Sequence, residues 1–235
     1  MKLPQINEVV VNSKIKELSI LHLSDLHINK KTSTNSINQL VKLCNRSEAD
    51  FIVITGDIID CKVKFIKERL ELLNKIEKKT YYISGNHDLF YGFKELKNIL
   101  TNLICLDNNY EILQIKDKTI AIGGLSDRFS KFFRVKREED KIVKILSRYE
   151  NSIFLAHQPK DYIYALKSNS KLFLCGHTHG GQIYPFHYVV KLFQPFLNGL
   201  IYKKDTAIYV SKGIGNWGID FRFKANNEIS LLKLR

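Results

Sequence analysis

At 235 residues, 44% of them apolar, the chain has enough material for one sizeable core, and its length calls for no second domain. Its formal charge of +13, from 37 Lys and Arg against 24 Asp and Glu, favours anionic partners such as phosphate-rich ligands, nucleic acid or an acidic membrane face, although a Lys-, Ile- and Asn-rich composition can arise from genomic bias alone. No basic N-terminal segment leads into an uninterrupted apolar run, and nowhere do about 18 apolar residues run without charge, so neither a signal peptide nor a spanning helix is expected.

Along the chain, Glu8–Val11 and Lys16–Leu23 read as strands, the second nearly continuous in apolar residues and therefore central, with His22 inside it as a core residue. Ile37, Leu40, Val41 and Leu43/Cys44 recur at helical spacing from Thr34 to Cys44, where Thr34 or Asn35 can cap the start. Phe51–Ile54 is a further strand, Val63–Ile76 a further helix, and Tyr81–Ile83 a strand again, which is a βαβ rhythm. A helix from about Phe93 to Leu100 leads to short strands at Leu103–Leu106, Tyr110–Ile115 and Thr119–Ile122, the last two joined by a turn at Lys116-Asp117-Lys118. That antiparallel pairing implies a second sheet. Ile142, Val143, Ile145 and Leu146 mark another helix, Ile153–Ala156 and Lys171–Cys175 are apolar strand-like runs, and Ala207–Val210 with Ile229–Leu234 supply closing strands.

The central stretch is Cys175-Gly176-His177-Thr178-His179-Gly180-Gly181-Gln182, in which glycines allow a sharp turn and two imidazoles stand one residue apart. Four upstream runs share its grammar. An apolar strand ends in Ser24-Asp25-Leu26-His27, in Thr55-Gly56-Asp57-Ile58-Ile59-Asp60, in Ser84-Gly85-Asn86-His87-Asp88 and in His157-Gln158-Pro159. The carboxyl ends of strands in an open α/β sheet gather along one edge, so these clusters can converge on one crevice. Five of the seven histidines fall inside them, leaving His22 and His187.

The ordered motifs D-x-H at Asp25, G-D-x-x-D at Gly56, G-N-H-D at Gly85, a lone His157 and G-H-x-H at Gly176 resemble the calcineurin-like metallophosphoesterase superfamily, and the resemblance runs from about Leu18 to the C-terminus. The longer forms H-Q-P and G-H-T-H-G-G-Q are similar to its bacterial, membrane-associated branch, some members of which hydrolyse UDP-2,3-diacylglucosamine in lipid A synthesis. The resemblance implies an α/β fold, a two-sheet β-sandwich flanked by helices, forming one domain over 1–235. It implies two divalent ions with Asp57 as the bridge, Asp25, His27 and His179 completing one, and Asn86, His157 and His177 the other. That mix of carboxylate, amide and imidazole donors suits Mn²⁺, Fe or Zn²⁺, with Mn²⁺ first, rather than an all-oxygen Ca²⁺ site. His87 would face the leaving-group oxygen, oriented by Asp60, whereas Asp88 is read as tying down its own loop.

Two stretches stand out as substrate contacts. Gly123–Arg134 alternates aromatic and basic residues, and Arg128, Phe129, Lys131 and Arg134 can grip a phosphate and an apolar group together. Ile183–Tyr202 is aromatic-rich, and with Phe193 and Phe196 it is expected to form a cap that takes lipid and rests on an anionic bilayer, unless its apolar residues fold into the core. The resulting expectation is a metal-dependent phosphodiester or pyrophosphate hydrolase with a lipid-linked substrate, in the cytoplasm or on the inner face of the cytoplasmic membrane. Cys44, Cys61, Cys105 and Cys175, which form no C-x-x-C pair, read as free thiols consistent with that reducing compartment. The rivals are a nuclease or cyclic-nucleotide phosphodiesterase, supported by charge alone, so that nucleic acid is disfavoured as a partner, and a metal-free scaffold, which has no reason to keep the whole ligand set.

Overall fold

The structure, a computed structural model, describes residues 3–182, 187–216, 218, 222 and 225–235, without the side chains of 187, 189 and 191. Twelve strands occur among them: β1 (Ile6–Val11), β2 (Leu18–Leu23), β3 (Phe51–Thr55), β4 (Thr80–Ile83), β5 (Ile104–Cys105), β6 (Asn109–Ile115), β7 (Lys118–Gly124), β8 (Ser152–Leu155), β9 (Leu172–Cys175), β10 (Gly199–Lys203), β11 (Thr206–Val210) and β12 (Ile229–Leu234). They form two six-stranded sheets, ordered β1-β12-β2-β3-β4-β5 and β10-β11-β9-β8-β7-β6. Parallel pairing runs from β2 through β3 and β4 to β5 in the first sheet, and through β7, β8, β9 and β11 in the second. The expected two-sheet α/β sandwich is therefore the fold.

The strand sequences explain the layering. Along β3, Phe51 and Val53 join the core between the sheets, while Ile52 and Ile54 point into the core beneath the helices. With both faces buried, the run cannot alternate with polar residues. The outer core of the first sheet is completed by Ile37 and Leu40 of α1 (Thr34–Arg46), Leu70 of α2 (Lys67–Glu71), and, beyond the short α3 (Asn86–Tyr91), Leu96 of α4 (Phe93–Ile99). On the second sheet, Ile142 and Leu146 of α5 (Glu139–Leu146) and Ala165 of α6 (Tyr162–Lys167) cover Phe154, Phe173 and Ile208.

Several expectations are corrected. Ser33, not Thr34 or Asn35, caps α1, its side chain accepting from the Ser36 N–H at 3.1 Å. The single helix expected over 63–76 is instead a 3-10 turn at Val63–Phe65, α2, and another 3-10 turn at Leu72–Lys75, broken at Ile66 (φ −133°, ψ 14°). Val63, Ile66, Leu70, Leu73 and Ile76 are nevertheless all buried. The strand at Ile104–Cys105 joins the first sheet beside β4 rather than the second. The two closing strands separate: β11 extends the second sheet next to β9, and β12 inserts between β1 and β2 of the first. His22 is fully buried, as expected of a core residue, and its Nε2 bonds Thr55 Oγ1 at 2.9 Å. The first part of the expected cap, 183–186, lies outside the described residues; α7 (His187–Phe193) follows. Among the described residues no helix is long and apolar enough to cross a membrane.

Candidate metal centre

The ends of β2, β3, β4, β8 and β9 do meet. Their loops turn unusually sharply: Asp25 (φ 51°), His27 (46°), Asp57 (52°), His177 (71°) and His179 (50°) all occupy the left-handed region that non-glycine residues avoid. Such backbone persists only where its surroundings enforce it, and it clusters at functional sites. Here it turns side chains at the ends of β2, β3 and β9 into one crevice. Gly56 (φ +85°) shows how tight the convergence is, because a Cβ there would stand 2.6 Å from the Gly85 nitrogen and 2.7 Å from His157 Nδ1.

Two clusters share Asp57. In the first, His27 Nε2 faces His179 Nε2 at 3.1 Å, and Asp25 Oδ1 stands 3.5 Å from the same His179 nitrogen. In the second, His157 Nε2 lies 3.3 Å from Asp57 Oδ2 and 3.2 Å from His177 Nδ1. Asp57 Oδ2 also lies 3.7 Å from His27 Nε2, which puts that carboxylate between the clusters. The groups Asp25–His27–His179 and Asp57–His157–His177 each gather their donor atoms within 4.8 Å. Asn86 lines the same cavity as Asp57, and its side-chain Oδ1 is buried and without a hydrogen-bond partner.

This arrangement fits divalent cations on its own chemistry. His157 Nδ1 lies 2.7 Å from the Thr55 carbonyl, so it donates there, and Nε2 turns its lone pair toward the Asp57 carboxylate. A lone pair facing a carboxylate, and imidazole nitrogens facing each other, can be reconciled only by a proton or a cation between them. For two of the imidazoles the electrostatics agree. Burial lowers the pKa of His177 to about 4, with His157 adding to the effect, and burial lowers that of His179 to about 3, which keeps both rings neutral and able to ligate. Burial alone would raise Asp25, but the imidazoles of His179, His157 and His27 outweigh it and hold the carboxyl below its usual range. His157 goes the other way: the Asp57 carboxylate overcomes its burial and raises its pKa well above the ordinary imidazole value.

His87 stands beside these clusters on α3. Its backbone N–H donates to Asp57 Oδ1 at 2.8 Å, and its Nδ1 bonds Asp60 Oδ1 at 2.7 Å, leaving Nε2 as the free ring position. Asp88 is fully buried and accepts from the N–H groups of Gly85 (2.8 Å) and Ile59 (3.0 Å), the loop-tying arrangement expected of it.

The residues read as substrate contacts divide. Phe193 lines a cavity of about 330 Å³ together with Asp57, Asn86, His87, His177 and His179. Arg128, Phe129, Lys131 and Arg134 line a separate, wider cleft of about 900 Å³, where Arg128 is held by Asp161 at 2.6 Å. Phe196 packs inward, its ring 5.0 Å from that of Tyr162. Sequence reasoning missed two neighbours of the clusters. Ser24 Oγ donates to Asp25 Oδ2 at 2.5 Å, and Arg222 Nη2 reaches His179 Nδ1 at 3.0 Å. A guanidinium only donates, so His179 Nδ1 accepts here and the ring proton sits on Nε2. Ser24 was visible as the first polar residue after β2, but Arg222 lies 43 residues beyond His179, and no periodicity marks it.

The pattern of the calcineurin-like phosphoesterase family matches residues 18–181, and the chain belongs to that family. It is 36% identical over 245 residues to an uncharacterized metallophosphoesterase of Campylobacter jejuni, covering 100% of this chain and 64% of that protein. A similarly described protein of Helicobacter pylori is 35% identical over 244 residues, covering 98% of this chain and 64% of its own length. The chain thus spans less than two thirds of these relatives. A structure of Haemophilus influenzae NAD nucleotidase shares the fold at a TM-score of 0.59 and 17% identity, covering 83% of this chain and 50% of that one.

Proposed function

We propose that the chain is a dinuclear metal-dependent phosphoesterase that hydrolyses a phosphodiester or pyrophosphate bond directly, without a covalent enzyme intermediate. The observation that carries this reading is the position of Asp57, whose carboxylate adjoins both histidine clusters, with Asn86, whose Oδ1 is unpartnered, lining the same cavity. Asp25, His27 and His179 would hold one ion, Asn86, His157 and His177 the other, and Asp57 both. Two divalent ions there, Mn²⁺ favoured over Fe or Zn²⁺, would lower the pKa of a water and neutralise charge on the phosphorus oxygens.

The chain's own groups supply the rest. Thr55 O and Ser24 Oγ orient His157 and Asp25, and the family match supports their surroundings as the catalytic crevice. Asp60 fixes the His87 ring through Nδ1 so that Nε2 can give a proton to the departing oxygen. His87 also lines the cavity in which that oxygen would lie.

A lipid-linked substrate presented at an anionic membrane is the reading we favour for the rim. Phe90, Phe132, Leu192 and Phe193 are 56%, 68%, 82% and 63% exposed, more large apolar surface than a soluble ligand requires, and Lys131 and Arg134 lie near the aromatic cluster. Turnover of an acylated UDP-sugar, a simple phosphodiester, a cyclic nucleotide and DNA with Mn²⁺ tests it. The expected result is metal-dependent hydrolysis of the first two, fastest for the acylated one in the presence of anionic vesicles. No turnover of any substrate with Mn²⁺, Fe²⁺ or Zn²⁺ overturns the phosphoesterase reading, and preference for DNA overturns the lipid one.

A further inference from the structure

Four buried side-chain atoms have no hydrogen-bond partner among the described residues: His22 Nδ1, His27 Nδ1, Asn86 Oδ1 and Gln194 Oε1. Three have an account already. His27 and Asn86 belong to the metal clusters, and His22 is a core ring tied to Thr55. Gln194 has none. Its backbone N–H donates to the Val190 carbonyl at 2.9 Å, continuing the last turn of α7, and the side chain is only 9% exposed. A buried amide oxygen without a donor is an arrangement folded proteins avoid, because the group has lost water and gained nothing.

The same side chain lines the 330 Å³ cavity that contains Asp57, Asn86 and His87, with the apolar Val190 and Phe193 beside it. We infer that Gln194 is a specificity-determining residue whose Oε1 accepts a hydrogen bond from an O–H or N–H of the organic group esterified to the phosphate. This rests on the phosphoesterase reading above and narrows it. Ligand cavities run from about 300 to 1,000 Å³, so this one holds a single ring-sized group and not a pair of acyl chains. Acyl chains would lie instead against the outer surface of Leu192 and Phe193. The pocket's ligand is therefore a headgroup with a donor on one side and an apolar face on the other, a description met by a nucleoside or by a polyhydroxylated carbon skeleton.

Calorimetric binding of inorganic phosphate, glycerol 3-phosphate and thymidine 5′-monophosphate to the Mn²⁺-loaded chain tests this, comparing wild type with Gln194→Met, which keeps the volume and removes the acceptor. Wild type should bind at least one organic phosphate more tightly than inorganic phosphate. The variant should lose about 3- to 10-fold on that ligand and nothing on inorganic phosphate, the size of one neutral hydrogen bond. Loss on both organic ligands marks a hydroxyl near the phosphate as the donor, and loss on thymidine monophosphate alone marks the nucleoside. Equal changes on all three ligands, no change, or no preference by wild type overturns the inference. If Gln194→Met fails to fold, Gln194→Leu carries the same comparison. Hydrolysis of bis(p-nitrophenyl) phosphate by wild type is measured alongside. Its absence from wild type rejects the phosphoesterase reading, while the binding series still decides the role of Gln194.

Discussion

Two cavities of this molecule are made differently. The one over the metal clusters has Asp57 and His179 buried in its lining, held at strand ends in backbone conformations the rest of the fold must enforce, with Val190, Phe193 and Gln194 lining it as well. The cleft beside it is built from the 3-10 turn at Arg128–Phe133 and the loop after it, with Phe132 68% exposed and Lys131 pairing with no carboxylate among the ion pairs described. The first is fixed by the core and the second only borders it. Changes in the first should therefore alter chemistry, and changes in the second should alter which substrates are reached.

The sharpest way to break that contrast is His87→Ala. It should retain metal and lose about 100-fold or more in kcat on a substrate with a poor leaving group, as expected on removing a general acid, and lose much less on a p-nitrophenyl ester, which needs no proton. Equal losses on both substrates would leave His87 only a charge-stabilising role. Asp60→Asn should cost less, about tenfold, because it removes the partner that orients His87 Nδ1 and not the ring itself; a larger loss than that of His87→Ala would place Asp60 in the chemistry directly.

Stability should divide the molecule along the same line. Gly56→Ala forces a Cβ onto the Gly85 backbone at a positive φ, and thermal unfolding should show about 1–3 kcal/mol of destabilisation with metal binding weakened. Phe196→Ser should also unfold more easily, since its ring packs on Tyr162. Phe193→Ser should change stability by less than about 0.5 kcal/mol while reducing vesicle binding and turnover of an acylated substrate. An equal loss of stability in the two Phe variants would return the whole segment to the core.

The sequence was a good guide where burial and ligand chemistry coincide. The run Phe51–Ile54 had to be a two-faced buried strand, so the carboxylate and histidine clusters that follow such strands could be assigned to one edge before any coordinates. Partner choice was less legible. Ile229–Leu234 reads as a strand, but nothing in it says that it will insert between β1 and β2, which depends on the twist and register of both. Helical spacing likewise cannot distinguish Phe193, 63% exposed, from Phe196, which turns inward three residues later. Arg222 and Gln194 were illegible for a different reason. Each acts through one long-range contact or one missing contact, and neither leaves a period or a motif.

The central claim, a shared carboxylate between two cations, is tested most directly by metal content after Mn²⁺ loading, measured for wild type and Asp57→Asn. We predict about two ions per chain for wild type and a loss of one or both in the variant, with hydrolysis of a simple phosphodiester abolished. At most one ion in wild type, together with unchanged metal content in Asp57→Asn, would contradict it.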